Sequence, residues 1–323
     1  MKIDSLENAF GHKLQLNYKN MIYTFTPNPA VDYYISIDNF ETDKINRISA
    51  CSFKGGGKGI NCSLLLDLLK IDNTACYFSG GFTGRYIDES LQGHSYIKTM
   101  PIQTEGITRV NVKFVGEQDT AINAPGPEVS EKAKEELFAF ADSCDENDYF
   151  LISGSLPPGF SKSDLLAFCR KINEKGCRLI LDVPDISVEE LKAVDVFLIK
   201  PNLEEFSELL SKEITIDNFR EHLDEILDLG VDNILLSLGR HGSYYAGEFG
   251  RYAISVPNVQ AYSPVGAGDS TLAGFIGALS EGKDIVEALK VANASGVAKV
   301  KYENLDTRDK IQELLDEIRV EKE

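Results

Sequence analysis

The chain of 323 residues has no tryptophan, three methionines and four histidines. Its six cysteines (Cys51, Cys62, Cys76, Cys144, Cys169 and Cys177) form no C-x-x-C pair and no Cys/His group with zinc spacing. That pattern speaks against a zinc ribbon or a thiol-exchange centre, and for reduced, buried thiols in a cytoplasmic protein. Cations are scarce too: 33 Lys and Arg face 51 Asp and Glu, for a net charge of −18. Nucleic-acid binding rests on neutralising phosphates, so no nucleic-acid partner is expected. Neither a signal peptide nor an apolar run of bilayer-spanning length is present, so no membrane partner is expected either. Two phosphate loops are also missing. Lys58 is not followed by Ser or Thr, which excludes a Walker A loop, and no G-x-G-x-x-G follows the first strand.

What the chain does have is 43% hydrophobic residues, enough for one large α/β domain or a domain with an appendage. Residues 1–20 are polar and patternless. They read as a disordered, vector-derived or upstream extension, with the folded unit at 21–323 and Met21 as a natural start. From Ser130 onward, helical and strand patterns alternate: helices at Ser130–Ala141, Ser163–Lys175 and Asn218–Leu229, strands at Tyr149–Ile152, Cys177–Val183, Val194–Ile199 and Asn233–Leu238. Such alternation predicts a mostly parallel sheet with helices on both faces, binding ligands beyond the carboxyl ends of its strands. The earlier segments Val31–Ile37, Ile45–Phe53, Arg109–Val115 and Thr120–Asn123 read as strands that do not alternate with helices, the last two pairing across Gly116. They predict a small second sheet standing off the domain as a lid, drawn from about 31–54 and 108–124. Exposed strands need cover, so a homodimer through that lid is expected.

The most informative stretch is Ser263-Pro-Val-Gly-Ala-Gly-Asp-Ser-Thr271, followed by the apolar helical run Leu272–Leu279. Unpaired N–H groups at a helix start, joined by the helix dipole, make an anion site. Asp269 stands at its edge, so a carboxylate base would lie beside a cradle for phosphate, as phosphoryl transfer to a hydroxyl requires. Asp269 reads equally well as a plain N-cap beside a glycine turn. Lys54-Gly-Gly-Gly-Lys-Gly-Ile-Asn61 opens a second helix in the same manner. Asp32 is placed at a strand end, as a turn residue or as an acceptor for sugar hydroxyls. Arg109 is either a solvated strand residue or a fork for a substrate phosphate.

In this order and spacing, Asn28-Pro29 with Asp32, Gly56–Asn61, Thr108–Asn111, Ser153–Gly159, Lys200–Glu205, Ser237–Gly242 and Val265–Asp269 resemble the phosphofructokinase B branch of the ribokinase-like sugar kinases from Met21 to the C-terminus. The resemblance implies a three-layer α/β/α domain with a β-sheet lid, and ATP and Mg²⁺ as co-substrate and metal. It implies Asp269 as base, with Gly266, Ala267 and Gly268 in the anion hole. Asp32, Gly57, Lys58 and Asn61 would hold the sugar, Arg109 its phosphate, and Arg47 and Ser153 would assist. Lys200, Asn202, Ser237, Gly239 and Gly242 would line the ATP site, Asn293 and Gly296 would contact adenine or ribose, and Asn202 and Glu205 would order Mg²⁺ through water. Whether K⁺ sits near Gly266–Asp269 stays open. Gly80–Gly84, Thr108–Phe114 and Asn123–Pro127 look more like bacterial 1-phosphofructokinases than tagatose-6-phosphate kinases. The first implies fructose 1-phosphate as acceptor, the second tagatose 6-phosphate, and a non-catalytic sensor is the remaining alternative. Pro27 departs from the family pattern, where an apolar residue is usual.

Overall fold

A computed structural model describes residues 20–37, 40–115 and 120–323. The expectations for residues 1–19 and for the turn at Gly116 lie outside these. At the centre runs β1 (Ile22–Thr26), buried at every position, as a strand covered on both faces must be. It pairs in parallel with β4 (Asn73–Ser79) on one side and β8 (Tyr149–Ser153) on the other. Beyond β4 lies β5 (Ile97–Gln103). Beyond β8 lie β9 (Arg178–Asp182), β10 (Leu198–Ile199) and β11 (Asn233–Ser237), all parallel. Three antiparallel strands close the far side: β12 (Ser243–Gly247), β13 (Gly250–Ser255) and β14 (Arg319–Lys322). The ten-stranded order is thus β14-β13-β12-β11-β10-β9-β8-β1-β4-β5. The order reverses at β1, so a crevice opens between the carboxyl ends of β1 and β8.

Each face of the sheet has its own core. One gathers Phe25, Phe150, Ile152, Leu181 and Leu236 under α3 (Glu131–Phe140), α4 (Lys162–Glu174), the short α5 (Val188–Leu191) and α6 (Leu203–Leu210). The other gathers Ile22, Tyr149, Leu151 and Leu235 under α1 (Lys58–Leu68), α8 (Ala267–Ser280), α9 (Ile285–Lys301) and α10 (Asp309–Leu315). Helix, sheet and helix therefore form three layers, as expected.

The small sheet is present, in the order β3-β2-β6-β7. Its strands are β2 (Ala30–Ser36), β3 (Ala50–Gly56), β6 (Arg109–Val115) and β7 (Thr120–Ile122). Val31 and Val110 anchor it on Ile87 and Leu91 of α2 (Gly81–Leu91). Several boundaries differ from expectation. The strand expected from Ile45 begins at Ala50, because its partner β2 runs out at Ser36, which pairs with Ala50. The strand expected over Val194–Ile199 shrinks to two residues, with Val196 making a lone bridge to Val231. The helix expected over Asn218–Leu229 breaks at His222, where a 3₁₀ turn (Phe219–His222) gives way to α7 (Leu223–Leu227). Strand β5 is hidden in the sequence by Pro101, which only an edge strand tolerates.

Candidate active site

The crevice collects side chains from both sheets. Asp269 stands in the first turn of α8, 7% exposed. Its carboxylate does not cap that helix. It accepts a hydrogen bond from Asn61 Nδ2 at 2.8 Å, and α8 has no side-chain cap at all. The plain N-cap alternative is thereby excluded. The cap residue is Gly266, at φ 80°, a left-handed turn that a side chain would strain. Among the described residues the N–H groups of Gly268 and Asp269 have no acceptor, whereas Ala267 N–H donates to Pro264 O at 3.2 Å. The Ala267 amide, expected in the anion hole, is thus engaged within the turn in this structure. Lys200, buried to 7% exposure, closes the cradle: its Nζ lies 2.9 Å from where a Cβ on Gly268 would stand. Burial pushes the Asp269 carboxyl above the usual range. The Asn61 amide opposes this, Asp182 adds to it, and Lys58 and Lys200 pull it back.

Lys58 pairs with Asp182 Oδ2 at 3.1 Å, and Ser153 Oγ donates to the same oxygen at 2.8 Å. Burial works against the Lys58 ammonium, yet Asp182, with Asp269 and Glu205 behind it, holds its pKa above the ordinary lysine value. Asp182 was missed in the sequence. Its signal was there: a carboxylate ending the otherwise apolar strand Leu179-Ile-Leu-Asp182. Gly57, at φ 137°, turns the chain into α1 against Thr26 and Pro29.

Asp32 is not at a strand end. It lies third in β2, where β2 pairs with β6, and it accepts from Asn111 Nδ2 at 3.0 Å and Lys113 Nζ at 2.7 Å. Arg109 is paired with Ala30, which on its other side pairs with Gly56. Two strand spacings, about 10 Å, thus separate Arg109 from the glycine run. Arg109 donates to Ala124 O at 3.3 Å, while its buried Nε has no partner among the described residues. Burial lowers its pKa, with Asp32 acting against that. A buried, unpaired guanidinium N–H is a costly feature that an anionic ligand would satisfy. Arg47 stands apart, exposed in the β2–β3 loop with no ion pair among the described residues.

The expected nucleotide side is more mixed. Asn202 and Glu205 form a reciprocal cap on α6, both contacts at 2.9 Å. Ser237 bridges to Asn202, and the turn from Gly239 to Gly242 follows it. At Gly242, φ is 88° and a Cβ would collide with Ile254 O, so only glycine fits. Asn293 and Gly296 sit where α9 packs on β12 and α8. Asn293 is buried with its Oδ1 accepting from Ser243 Oγ and its Nδ2 donating to Leu289 O, both at 2.9 Å. Gly296 lets α9 approach Thr271 of α8, leaving no room for a Cβ. Both residues have a packing role in this structure. Among the described residues there is also no helix long and apolar enough to cross a membrane.

Known proteins are similar to this chain over most of their length. The profile of the pfkB family carbohydrate kinases matches residues 26–311. The 1-phosphofructokinase of Bacillus subtilis is 31% identical over 301 residues, covering 93% of this chain and 99% of the relative. The tagatose-6-phosphate kinase of Staphylococcus epidermidis is 33% identical over 308 residues, with 93% and 99% covered. Phosphofructokinase-2 from Escherichia coli, solved in complex with fructose-6-phosphate, is 26% identical at a TM-score of 0.85, covering 92% of this chain and 98% of its own. The same enzyme in complex with potassium gives 26% and 0.84, and its tetrameric inhibited form 26% and 0.83, each with 92% and 98% covered. With its fold, its glycine-flanked Asp269 and this match in hand, the chain belongs to the pfkB family of carbohydrate kinases.

Proposed function

We propose that this kinase transfers the γ-phosphoryl of ATP to D-fructose 1-phosphate, giving fructose 1,6-bisphosphate and ADP. The observation that carries the reading is Asp269: a buried carboxylate, held by Asn61, beside the free amides of Gly268 and Asp269. Asp269 takes the proton from the acceptor hydroxyl. The amides and Lys200 stabilise charge on the moving phosphoryl. Arg109 binds the phosphate that the sugar already carries. Asp182, Lys58 and Asp32 border the sugar, and the small sheet closes over it as a lid, excluding water as a rival acceptor.

The fit of Mg²⁺ rests on Glu205. One of its oxygens is tied to the cap and the other is uncommitted, and no group of three or more His, Cys, Asp or Glu that could hold a metal lies among the described residues. That donor set suits an ion arriving with the nucleotide and keeping its waters, with Asn202 and Glu205 outside them. The ion neutralises the polyphosphate when bound. Potassium, present in one E. coli phosphofructokinase-2 structure, belongs in the assay buffer.

The alternative acceptor is tagatose 6-phosphate, because the S. epidermidis tagatose-6-phosphate kinase is as similar to this chain as 1-phosphofructokinases are. Steady-state kinetics with MgATP and a panel of fructose 1-phosphate, fructose 6-phosphate, tagatose 6-phosphate and free fructose decide. The highest kcat/KM is expected with fructose 1-phosphate. A tenfold preference for tagatose 6-phosphate moves the assignment to the second reading, and no turnover with any of them leaves the sensor alternative.

The lid is also the proposed dimer face. Phe53 and Ile122 are 53% and 59% exposed on its strands, and Ile45 and Ile48 are exposed beside them. Strands and side chains of this kind need cover. Sedimentation at micromolar concentration should give twice the monomer mass, and a Phe53→Asp, Ile122→Asp variant should give a monomer. A wild-type monomer would rule the dimer out. A cytoplasmic location fits a metabolic kinase of this chemistry.

A further inference from the structure

Lys299 lies in the last turns of α9, yet its side chain reaches the start of α8. A Cβ built on Gly266 would meet Lys299 Cε at 3.3 Å, and one on Gly268 would meet Lys200 Nζ at 2.9 Å. Two lysines therefore bracket the turn whose amides form the cradle. Unlike Lys58 and Lys113, Lys299 has no counter-ion among the described residues. Lys58 has Asp182 at 3.1 Å and Lys113 has Asp32 at 2.7 Å. Lys299 makes no ion pair or side-chain hydrogen bond among the described residues. The charged groups that act on it are a second cation, Lys54 on β3, and Asp269. Burial, then Lys54, hold its pKa below the usual lysine value, with Asp269 opposing. A partly buried ammonium without an ion pair is unfavourable until an anion reaches it.

We propose that Lys299 is a further catalytic residue, whose ammonium binds the terminal phosphoryl of ATP on the Gly266 side of the cradle, opposite Lys200. This rests on the phosphoryl-transfer reading above. In the step itself the acceptor oxygen forms a bond to the γ-phosphorus and the bond from that phosphorus to the β–γ bridging oxygen breaks. The electron pair leaves with ADP, and the hydroxyl proton goes to Asp269. Lys299 moves no proton; it holds charge on the group in flight. The rival explanation is that Lys299 only complements the carbonyl end of α9, as Lys301 two residues on also does.

Calorimetric titration with MgATP and with MgADP, alongside steady-state kinetics, separates these. Lys299→Met should weaken MgATP binding about tenfold, leave MgADP binding within threefold, and lower kcat about 10–100-fold with the phosphosugar KM little changed. Lys301→Met should change none of these. Lys299→Gln is the second variant if Lys299→Met does not fold by circular dichroism. Equal losses for ATP and ADP, or a kcat within threefold of wild type, overturn the assignment, as does a Lys301→Met variant with the same losses. Wild-type enzyme that phosphorylates no phosphosugar overturns the kinase reading as well. A fully active wild type beside an unaffected Lys299→Met overturns only this inference.

Discussion

Replacing Asp269 by Asn should lower kcat by at least about three orders of magnitude, near the upper range for removing a positioned general base. The isostere keeps the shape of the buried site but cannot accept the hydroxyl proton. Phosphosugar and MgATP affinities should stay within about threefold, because Arg109, Lys58 and the amides are untouched. Stability should move the other way. Burial raises the folded-state pKa of Asp269 above its unfolded value. The ionised form therefore costs stability at neutral pH, and that cost disappears as pH falls below the unfolded pKa. A neutral Asn removes it, so the melting temperature of Asp269→Asn should equal or exceed that of wild type. An active site built at the expense of stability behaves in this way. Kinetics, titration and thermal melts on one preparation check all three parts, and turnover within tenfold of wild type would remove Asp269 from the base role.

Arg109→Met should raise the phosphosugar KM by about two orders of magnitude while leaving the MgATP KM within about threefold. The loss corresponds to two charge-assisted hydrogen bonds at about 1.5–3 kcal/mol each, discounted for water that takes their place. The Arg109 Nε already lies buried without a partner, so the ligand-free protein loses only the long 3.3 Å bond from Nη1 to Ala124 O. Thermal stability should hold or rise. Arg109→Lys should recover less than a tenth of the lost kcat/KM, since a point charge does not replace a planar fork. Unphosphorylated fructose, lacking the group that Arg109 grips, should respond little to either change. A phosphosugar KM within threefold of wild type would place the acceptor phosphate elsewhere.

Much of this site could be read from the chain because its parts are local. Gly266–Asp269 and Gly56–Asn61 carry their chemistry in consecutive residues, and the sheet class followed from the alternation after Ser130. What could not be read depends on which strands become neighbours. Asp32 looked like a turn residue because its partners, Asn111 and Lys113, come from a strand some eighty positions later. Asp182 acquires meaning only when β9 sets it beside Ser153 of β8 and the lysine that opens α1. Asn293 and Gly296 pointed toward a nucleotide through family likeness, and the packing of α9 on α8 and β12 gives both a structural role that no local pattern announced. Strands β12 to β14 extend the sheet antiparallel, a departure that no local periodicity announced.

The base assignment is tested most directly by the pH dependence of kcat at saturating MgATP and phosphosugar. Asp269 must be ionised to act, and burial holds its pKa above that of an ordinary aspartate. The predicted result is a one-proton fall in kcat toward acid whose midpoint lies above about 4, the usual aspartate value. A kcat that stays flat down to that value would contradict it.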